Sequence, residues 1–212
     1  MTKKNLSVGI IDLKCNNLFS IHKSCIQAGF KTSVISPKEK KLNYDIVIIP
    51  GVGAFKSGMK VFRDNHYDEK IFDYKFRPNS FIYGICLGMQ LLFENSSEFG
   101  LTKGLGLIKG NINKFNHKSI GSKINMGWSQ IILSKNSLTK NLKKFDKKYF
   151  YFVHSYYAKT FVESDTISES RHENFSFSSI VKKNNIFGTQ FHPEKSGNVG
   201  ISFLKNLKFY KS

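Results

Sequence analysis

The stretch that decides the fold of this chain is Ser80-Phe-Ile-Tyr-Gly-Ile-Cys-Leu-Gly-Met-Gln-Leu-Leu-Phe-Glu94. Residues 81–85 are a short apolar run rich in aromatic and branched side chains, which predicts a buried strand. Residues 87–94 continue with good helix formers, which predicts a helix. Cys86 lies at the joint. The sequence therefore predicts a sharp strand-to-helix turn of the nucleophile-elbow kind, with a cysteine at its apex.

Cys86 has the position of a nucleophile at such a turn. Gly84 and Gly88 stand two residues before and two after it, and small residues there let neighbouring backbone pack against the turn. The unpaired amides and the positive dipole end of a helix N-terminus favour a thiolate. Most free cysteines, however, are small buried apolar residues. Residues further along the chain decide between these two interpretations.

The composition indicates one soluble domain in a reducing cytoplasm. With 212 residues, 40% of them hydrophobic, the chain can bury one sizeable core, and we interpret 1–212 as a single domain. Its three cysteines show neither disulfide-framework spacing nor metal-site pairing, and we expect no metal and no cofactor. The basic N-terminus lacks the apolar run of a signal peptide, and no segment approaches the length of a membrane span.

The formal net charge of +18 raises the possibility of a nucleic-acid partner. Only three of the 33 basic residues are arginines, and arginine is the residue that planar phosphate and base recognition favours. The lysines are scattered, and their densest cluster, at 140–148, is more typical of a solvated face. We therefore expect neither nucleic acid nor membrane as a partner, although a basic surface attracts acidic proteins and phosphorylated substrates.

The first half of the chain alternates strand and helix patterns. Strands are predicted at 8–12, 32–36 and 44–49, and helices at 17–28, 58–65 and 67–76. This alternation predicts a mostly parallel central sheet with helices on both faces, an α/β fold whose sites lie beyond the carboxyl ends of the strands. The segment Pro50-Gly-Val-Gly-Ala-Phe55 and Cys86 both fall at such ends, so we expect them to face one crevice.

The second half predicts short strands separated by polar turns, at 107–115, 128–133, 149–158, 176–181 and 186–191. We interpret them as antiparallel additions to the sheet. Lys182-Lys-Asn-Asn185 is a hairpin-turn candidate because asparagine tolerates the left-handed conformation. Residues 199–209 have apolar side chains at helical spacing and predict a closing helix.

A second stretch with candidate chemistry is Gln190-Phe-His-Pro-Glu-Lys-Ser-Gly197. Residues two apart in an extended segment face the same way, so His192 and Glu194 are expected to present their side chains together, with Pro193 holding the backbone extended. Glu194 can then fix the histidine tautomer and leave the other ring nitrogen to take a proton from Cys86. A lone histidine is usually a surface or core residue, but this combination predicts a Cys-His-Glu triad.

Three segments together resemble the signature of the class I (triad) glutamine amidotransferases. They are Pro50-Gly-Val-Gly-Ala-Phe55, Gly84-Ile-Cys-Leu-Gly-Met-Gln90 and Gln190-Phe-His-Pro-Glu-Lys-Ser196. Within that class the chain is most similar to the glutaminase subunits of imidazole glycerol phosphate synthases. Gly104-Leu-Gly-Leu-Ile108, Met126-Gly-Trp128 and Tyr151-Phe-Val-His-Ser-Tyr-Tyr157 resemble segments of that family in the same order. The resemblance spans nearly the whole chain and implies a flavodoxin-like three-layer fold.

The resemblance implies a mechanism. Cys86 attacks the side-chain amide of glutamine, His192 protonates the leaving ammonia, and water hydrolyses the thioester to glutamate. The amide of Leu87 and the Gly51-Val52 backbone are the implied oxyanion donors. The implied substrate-binding residues are Gln90, Glu98, Ser155 and Tyr156, the last two through their backbone.

The resemblance also implies a partner. Ammonia passes into a cyclase subunit, a synthase barrel, within a heterodimer of histidine biosynthesis. The candidate partner-facing residues are Asn17, Trp128 and Lys195. A basic face meeting an acidic rim is physically sensible for such a contact.

Two regions near the implied interface depart from the family pattern and leave alternatives open. Lys14 and Asn16 stand where glycines are usual, and Ile124 and Asn125 where a Pro-His pair is usual. One alternative is a related glutaminase that supplies ammonia to a sugar amidotransferase system for surface polysaccharide or glycan synthesis. Another is a non-catalytic nucleic-acid-binding protein of the same fold. The presence of Cys86, His192 and Glu194 together argues against it.

Overall fold

A mixed sheet of eight strands forms the centre of the computed structural model, which describes residues 6–14, 18–115, 123–134 and 141–209. The strands of the described residues are β1 (Ser7–Ile10), β2 (Lys31–Val34), β3 (Ile46–Gly51), β4 (Ile82–Cys86), β5 (Asn95–Ser96), β6 (Thr102–Lys103), β7 (Gly110–Lys114), β8 (Asn125–Gln130), β9 (Ile132–Leu133), β10 (Tyr149–His154), β11 (Tyr156–Thr160), β12 (Thr166–His172), β13 (Phe175–Lys183) and β14 (Ile186–Thr189). The α-helices are α1 (Leu18–Gln27), α2 (Phe55–Asp64), α3 (Tyr67–Lys75), α4 (Leu87–Leu91) and α5 (Gly197–Asn206).

Neighbouring strands of the central sheet run parallel in the order β2-β1-β3-β4-β14. Beyond β14, strands β13, β12 and β9 continue the sheet in antiparallel pairing. With β14 as its fifth strand, the parallel part has the flavodoxin-like order. The predicted mostly parallel sheet with antiparallel strands from the second half of the chain is confirmed. The prediction that every strand of the second half is an antiparallel addition is wrong, because β14 pairs in parallel with β4, and β7 and β8 lie in smaller separate sheets.

The central sheet is buried on both faces. Along β3, Ile46 and Ile48 pack into one core and Val47 and Ile49 into the other, because successive side chains in a strand point to opposite faces. Helices α1 and α5 contribute to the first core, and α2 and α3 to the second. The predicted helices on both faces are therefore confirmed. Covering both faces also explains why β3 and β4, in the middle of the sheet, are buried along their whole length, whereas the edge strand β2 is polar and largely exposed.

The single strand predicted at 149–158 is wrong, because this run forms two strands in different sheets. β10 pairs with β8 in a two-stranded sheet, whereas β11 pairs with β7 in a four-stranded sheet with β5 and β6. The break falls at Ser155, whose carbonyl oxygen accepts a hydrogen bond from the amide of Phe115 at 3.3 Å. A continuous apolar pattern does not reveal where a chain changes sheets.

The hairpin predicted at 182–185 is confirmed. β13 and β14 pair antiparallel, and Asn184 in the turn has a φ of 53°. The neighbouring strand β12 has no counterpart among the predictions, because its buried positions include Ser168 and Ser170. The hydroxyl of Ser168 lies 2.7 Å from that of Ser179 on β13, so a polar pair is buried where the pattern required apolar side chains.

The helix after Cys86 is shorter than the predicted 87–94. The carbonyl oxygens of residues 91–94 accept hydrogen bonds from amides of residues 104–108, which replaces the next helical turn. Helix α1 ends as predicted, with Gly29 beyond it at a φ of +82°. Helix α5 closes the chain against the sheet. None of the helices in the described residues is long and apolar enough to cross a membrane.

Candidate active site

Cys86 occupies the predicted elbow between β4 and α4. Its φ of 52° and ψ of −108° are strained values for a residue with a side chain. A Cβ atom on Gly84 would lie 2.6 Å from the amide nitrogen of Met89, and one on Gly88 would lie 1.6 Å from the carbonyl oxygen of Ile49. Only glycine fits at either position. The elbow therefore depends on close backbone packing on both sides of the cysteine.

His192 and Glu194 lie just beyond β14, the strand that pairs in parallel with β4. The carboxyl ends of the two strands therefore meet, and Nδ1 of His192 lies 2.8 Å from Oε1 of Glu194. The side chain of His192 is 1% exposed and that of Glu194 is 9% exposed. The expectation that Pro193 keeps the backbone extended is wrong, because Pro193–Lys195 form a turn of 3-10 helix. Proline is well suited to the first position of a helical turn, and His192 itself is extended.

The backbone of His192 is fixed to β10. Its amide donates a hydrogen bond to the carbonyl oxygen of Tyr151 at 2.9 Å. The hydroxyl of Ser196 donates to the carbonyl oxygen of His192 at 2.6 Å and accepts from the amide of Tyr151 at 3.0 Å. The sequence predicts no role for Ser196, because its contact is with a residue of β10 that lies 45 positions away in the sequence.

The charge state of His192 is set by opposing effects. Burial, the largest effect, disfavours the imidazolium. The Cys86 thiolate, through its charge and a hydrogen bond with the ring, and the Glu194 carboxylate together outweigh burial and raise the pKa of His192 to about 10. Within the described residues, Nε2 of His192 is buried and has no hydrogen bond of good geometry. This nitrogen is therefore left to exchange a proton with Cys86 or a bound molecule.

We expect replacement of Cys86 with alanine to lower the pKa of His192. Burial, the largest effect, would then be opposed by Glu194 alone. The wild-type ring should stay protonated through neutral pH and lose its proton as the pH rises toward about 10, whereas the ring in Cys86→Ala should lose it at lower pH. Imidazole signals followed by NMR across a pH series measure this. A titration that does not change in Cys86→Ala would mean that the cysteine does not set the histidine charge.

Gln90 and Gln190 form a buried polar chain that ends at Cys86. Nε2 of Gln90 donates to the carbonyl oxygen of Tyr156 at 2.9 Å and to Oε1 of Gln190 at 3.1 Å. Nε2 of Gln190 then lies 3.6 Å from the sulfur of Cys86. The site residues predicted from the sequence included Gln90 but not Gln190. The only sequence signal for Gln190 was its place in the stretch that carries His192.

Each of the other predicted substrate-binding residues uses at least one polar atom in a hydrogen bond within the protein. Oε2 of Glu98 accepts a hydrogen bond at 2.6 Å from the amide of Phe55, the first residue of α2. The carbonyl oxygen of Tyr156 accepts from Gln90 and, at 2.8 Å, from Nδ1 of His154. The carbonyl oxygen of Ser155, at the break between β10 and β11, accepts a hydrogen bond from the amide of Phe115. Glu98 therefore links the segment after β5 to the start of α2.

The predicted oxyanion donors lie around Cys86. Gly51 is its direct neighbour across the β3–β4 pairing, and Leu87 is the first residue of α4. The first amides of a helix have no partner within it, so the Leu87 amide is free of helical hydrogen bonding. Val52 is partly exposed and precedes Gly53, which has a φ of +103°. The loop after β3 and the elbow are thus adjacent, as expected, because β3 and β4 are neighbouring parallel strands.

Of the three predicted partner-facing residues, the structure describes Trp128 and Lys195. Trp128 on β8 is 54% exposed and packs edge-on against Tyr151 of β10, 6.1 Å between ring centroids. Lys195 is exposed and follows Glu194 directly. Asn17 lies outside the described residues, as does Asn16. Trp128 and Lys195 therefore both lie close to the segment that carries His192.

The departures from the family pattern have structural consequences. Lys14 has a φ of 59°, a conformation that favours glycine, and its side chain forms an ion pair with Asp12 at 2.8 Å. Nδ2 of Asn125 lies 3.0 Å from Nε2 of His154. Burial lowers the pKa of His154 to about 3, so the ring is neutral and accepts a hydrogen bond from the asparagine. Across the described residues, no group of three or more His, Cys, Asp or Glu side chains could hold a metal.

Comparisons with known proteins agree with this geometry. The family model for class-I glutamine amidotransferases matches residues 10–210, and the chain belongs to this family. It is similar to the imidazole glycerol phosphate synthase subunit HisH of Sulfurimonas denitrificans, 37% identical over 208 residues that cover 97% of this chain and 99% of the relative. It is also 40% identical over 202 residues to the subunit of the same name from Methanocaldococcus jannaschii, covering 94% and 97%. The resemblance predicted from the sequence is confirmed.

A solved structure shows the same fold at low sequence identity. The structure described as PurLQS from Thermotoga maritima is similar with a TM-score of 0.73 and 18% identity, covering 97% of this chain and 99% of that one. At this identity the likeness shows the fold alone. It confirms the predicted α/β arrangement of the class.

Proposed function

We propose that this protein is the glutaminase subunit of an imidazole glycerol phosphate synthase, which hydrolyses glutamine and passes ammonia to a cyclase partner in histidine biosynthesis. The observation that carries the proposal is a buried histidine–glutamate pair beside an elbow cysteine. Relatives named as HisH subunits and similar over nearly the whole chain support the choice of synthase. We also propose that residues 1–212 act as one domain and that the protein works in the cytoplasm.

The proposed reaction has two stages. The thiolate of Cys86 attacks the side-chain amide carbon of glutamine, a C–S bond forms, and the carbonyl oxygen becomes an oxyanion. Nε2–H of His192 gives its proton to the amide nitrogen, the C–N bond breaks, and ammonia leaves. Water then attacks the thioester while His192 takes its proton, the C–S bond breaks, and glutamate leaves. Glu194 holds the ring through Nδ1 in both stages.

The oxyanion is proposed to accept hydrogen bonds from the amide of Leu87 and from the backbone at Gly51 and Val52. These groups lie at the N-terminus of α4 and at the carboxyl end of β3, next to Cys86. Removing one such donor typically costs about 2.7–4 kcal/mol of transition-state stabilisation. The small side chains of this loop allow its backbone to approach the site.

The hydrogen bonds of Gln90 restrict how it can bind glutamine. Both hydrogens of its Nε2 are used, by Tyr156 and by Gln190, so only Oε1 remains for a ligand. An acceptor suits the α-ammonium group of glutamine and not its α-carboxylate. The carboxylate of Glu98, whose charge acts on neighbouring Tyr156, also prefers the ammonium group. We propose that Gln90 and Glu98 bind the ammonium end of the substrate, with the Ser155–Tyr156 backbone beside them.

The proposed partner surface is the outer face of the β8–β10 sheet. Ile124, Met126 and Trp128 alternate along the chain and point to this face, where Met126 is 64% exposed, and Tyr149 adds a further exposed ring. Contiguous exposed apolar residues of this kind mark interaction sites. Lys195 lies nearby, on the segment of His192. We propose that the cyclase docks here, with Asn17 as a further contact.

Glutamate release by the purified chain, alone and with the cyclase and its nucleotide ligand, tests the proposal. We expect the cyclase to stimulate the rate and Trp128→Ala to weaken cyclase binding about 30-fold, the effect of losing a central aromatic anchor. Phe76→Ala, which truncates an exposed ring elsewhere, is the matched control and should bind normally. Glutamine hydrolysis with no response to cyclase or ligand would refute the synthase assignment and favour an acceptor such as a sugar amidotransferase system.

A further inference from the structure

We infer that Gln190 positions the sulfur of Cys86 by donating an N–H hydrogen bond to it, and that Gln90 orients Gln190 for this purpose. Nε2 of Gln190 lies 3.6 Å from the sulfur, within the range of a hydrogen bond to sulfur. The inference deepens the proposed function. It rests on that function only where it assumes that the thiolate is used to hydrolyse glutamine.

The orientation of the Gln190 amide follows from a backbone group. The carbonyl oxygen of Tyr156 can only accept, so the atom of Gln90 at 2.9 Å from it must be the amide nitrogen. The second hydrogen on that nitrogen points to Gln190, so the atom of Gln190 at 3.1 Å must be the oxygen. The nitrogen of Gln190 then faces Cys86. The reverse orientation of either amide would place two donors or two acceptors against each other.

Burial makes this arrangement rigid. Gln190 has no exposed surface, and its backbone amide donates a hydrogen bond to the carbonyl oxygen of Ser179 on β13 at 3.0 Å. Breaking a hydrogen bond of a fully buried amide leaves polar groups without partners and is costly. The side chain therefore cannot turn away without disrupting the chain to Gln90.

The other groups around Cys86 do not supply this interaction. The carbonyl oxygen of Val153, 3.8 Å from the sulfur, can accept from a thiol but repels a thiolate. His192 interacts with the sulfur as the proton carrier, with Glu194 behind it and neutral His154 on the adjacent β10. Gln190 donates to the sulfur from a side chain that carries no charge. It holds the thiolate without competing for the proton, so the sulfur stays in place while His192 moves a proton.

The pH dependence of Cys86 alkylation by iodoacetamide tests this without any glutamine turnover. In Gln190→Leu we expect the pH of half-maximal alkylation to rise by about one unit, because a hydrogen bond to a charged group is lost. In Gln190→Glu, which keeps an acceptor for Gln90 and the size of the side chain, we expect a larger rise, since a carboxylate replaces the donor. The alkylation rate at high pH should change little in either variant.

Thr189→Val is the matched control. Thr189 is the last residue of β14 and precedes Gln190. It is buried, and its hydroxyl bonds the hydroxyl of Tyr83 at 2.8 Å and the carbonyl oxygen of Phe191 at 3.2 Å but not Cys86, so the alkylation midpoint of the variant should equal that of the wild type. Cys86→Ala identifies the alkylated residue. Midpoints of Gln190→Glu and wild type that coincide would overturn the inference, as would an equal shift in Thr189→Val. If the shifts occur but glutamine is not hydrolysed, the proposed function fails and the inference stands.

Discussion

Replacement of Cys86 with serine should lower glutamine hydrolysis by about 10⁴-fold or more, the range seen when the nucleophile of a catalytic triad is lost. Serine preserves the size of the side chain and the strained elbow, so the fold should remain. The hydroxyl, however, does not ionise at neutral pH, and His192 would have no thiolate beside it. Glutamate release measures the loss. Mass spectrometry of the denatured protein during turnover should detect a glutamyl adduct on the wild type and none on the variant.

Cys25→Ala is the matched control for the loss of a thiol. Cys25 is buried in α1, and burial, followed by the charge of Glu194, raises its pKa to about 12, so its sulfur stays protonated and unreactive. Its replacement should leave glutamine hydrolysis within a few-fold of the wild type. Substantial hydrolysis by Cys86→Ser, or loss of the adduct in Cys25→Ala, would contradict the assignment of Cys86 as the nucleophile.

The sequence predicted the parts of the site that depend on local chain geometry. Cys86 at a strand-to-helix joint and His192 two residues from Glu194 are patterns within a few residues, and the structure brings all three together at the ends of β4 and β14. The extended backbone expected at Pro193 was wrong, yet the histidine–glutamate contact forms. A 3-10 turn and an extended segment both allow it, so the contact was easier to predict than the conformation.

The parts that the sequence did not predict depend on contacts between distant segments. Gln190 reaches Cys86 only because β14 lies beside β4, 104 residues away in the sequence. The carboxylate of Glu98 caps the amide of Phe55, so helix α2 begins three residues before the predicted position at 58. The end of α4 is set by hydrogen bonds from residues 104–108. None of these is visible in the local periodicity of apolar residues.

Replacement of Gly88 with alanine should prevent folding or cost more than about 4 kcal/mol of unfolding free energy, a loss seen only with specific structural damage. The added methyl group would lie 1.6 Å from the carbonyl oxygen of Ile49 and 2.6 Å from its carbonyl carbon. These are backbone atoms of β3, which is held between β1 and β4 in the middle of the parallel sheet. Relief of the clash would need β3 and α4 to separate, and Cys86 would move with the helix.

Gly100→Ala separates this clash from the general cost of losing a glycine. Gly100 has a φ of +98° but nothing within 4 Å of an added Cβ, so alanine there should cost only the backbone strain, about 1–2 kcal/mol. Chemical denaturation monitored by far-UV circular dichroism compares the two variants with the wild type. If Gly88→Ala were as stable as Gly100→Ala, α4 would not be packed against β3 as described. A large loss confined to Gly88→Ala would mean that the elbow which presents Cys86 also holds the sheet and helix together.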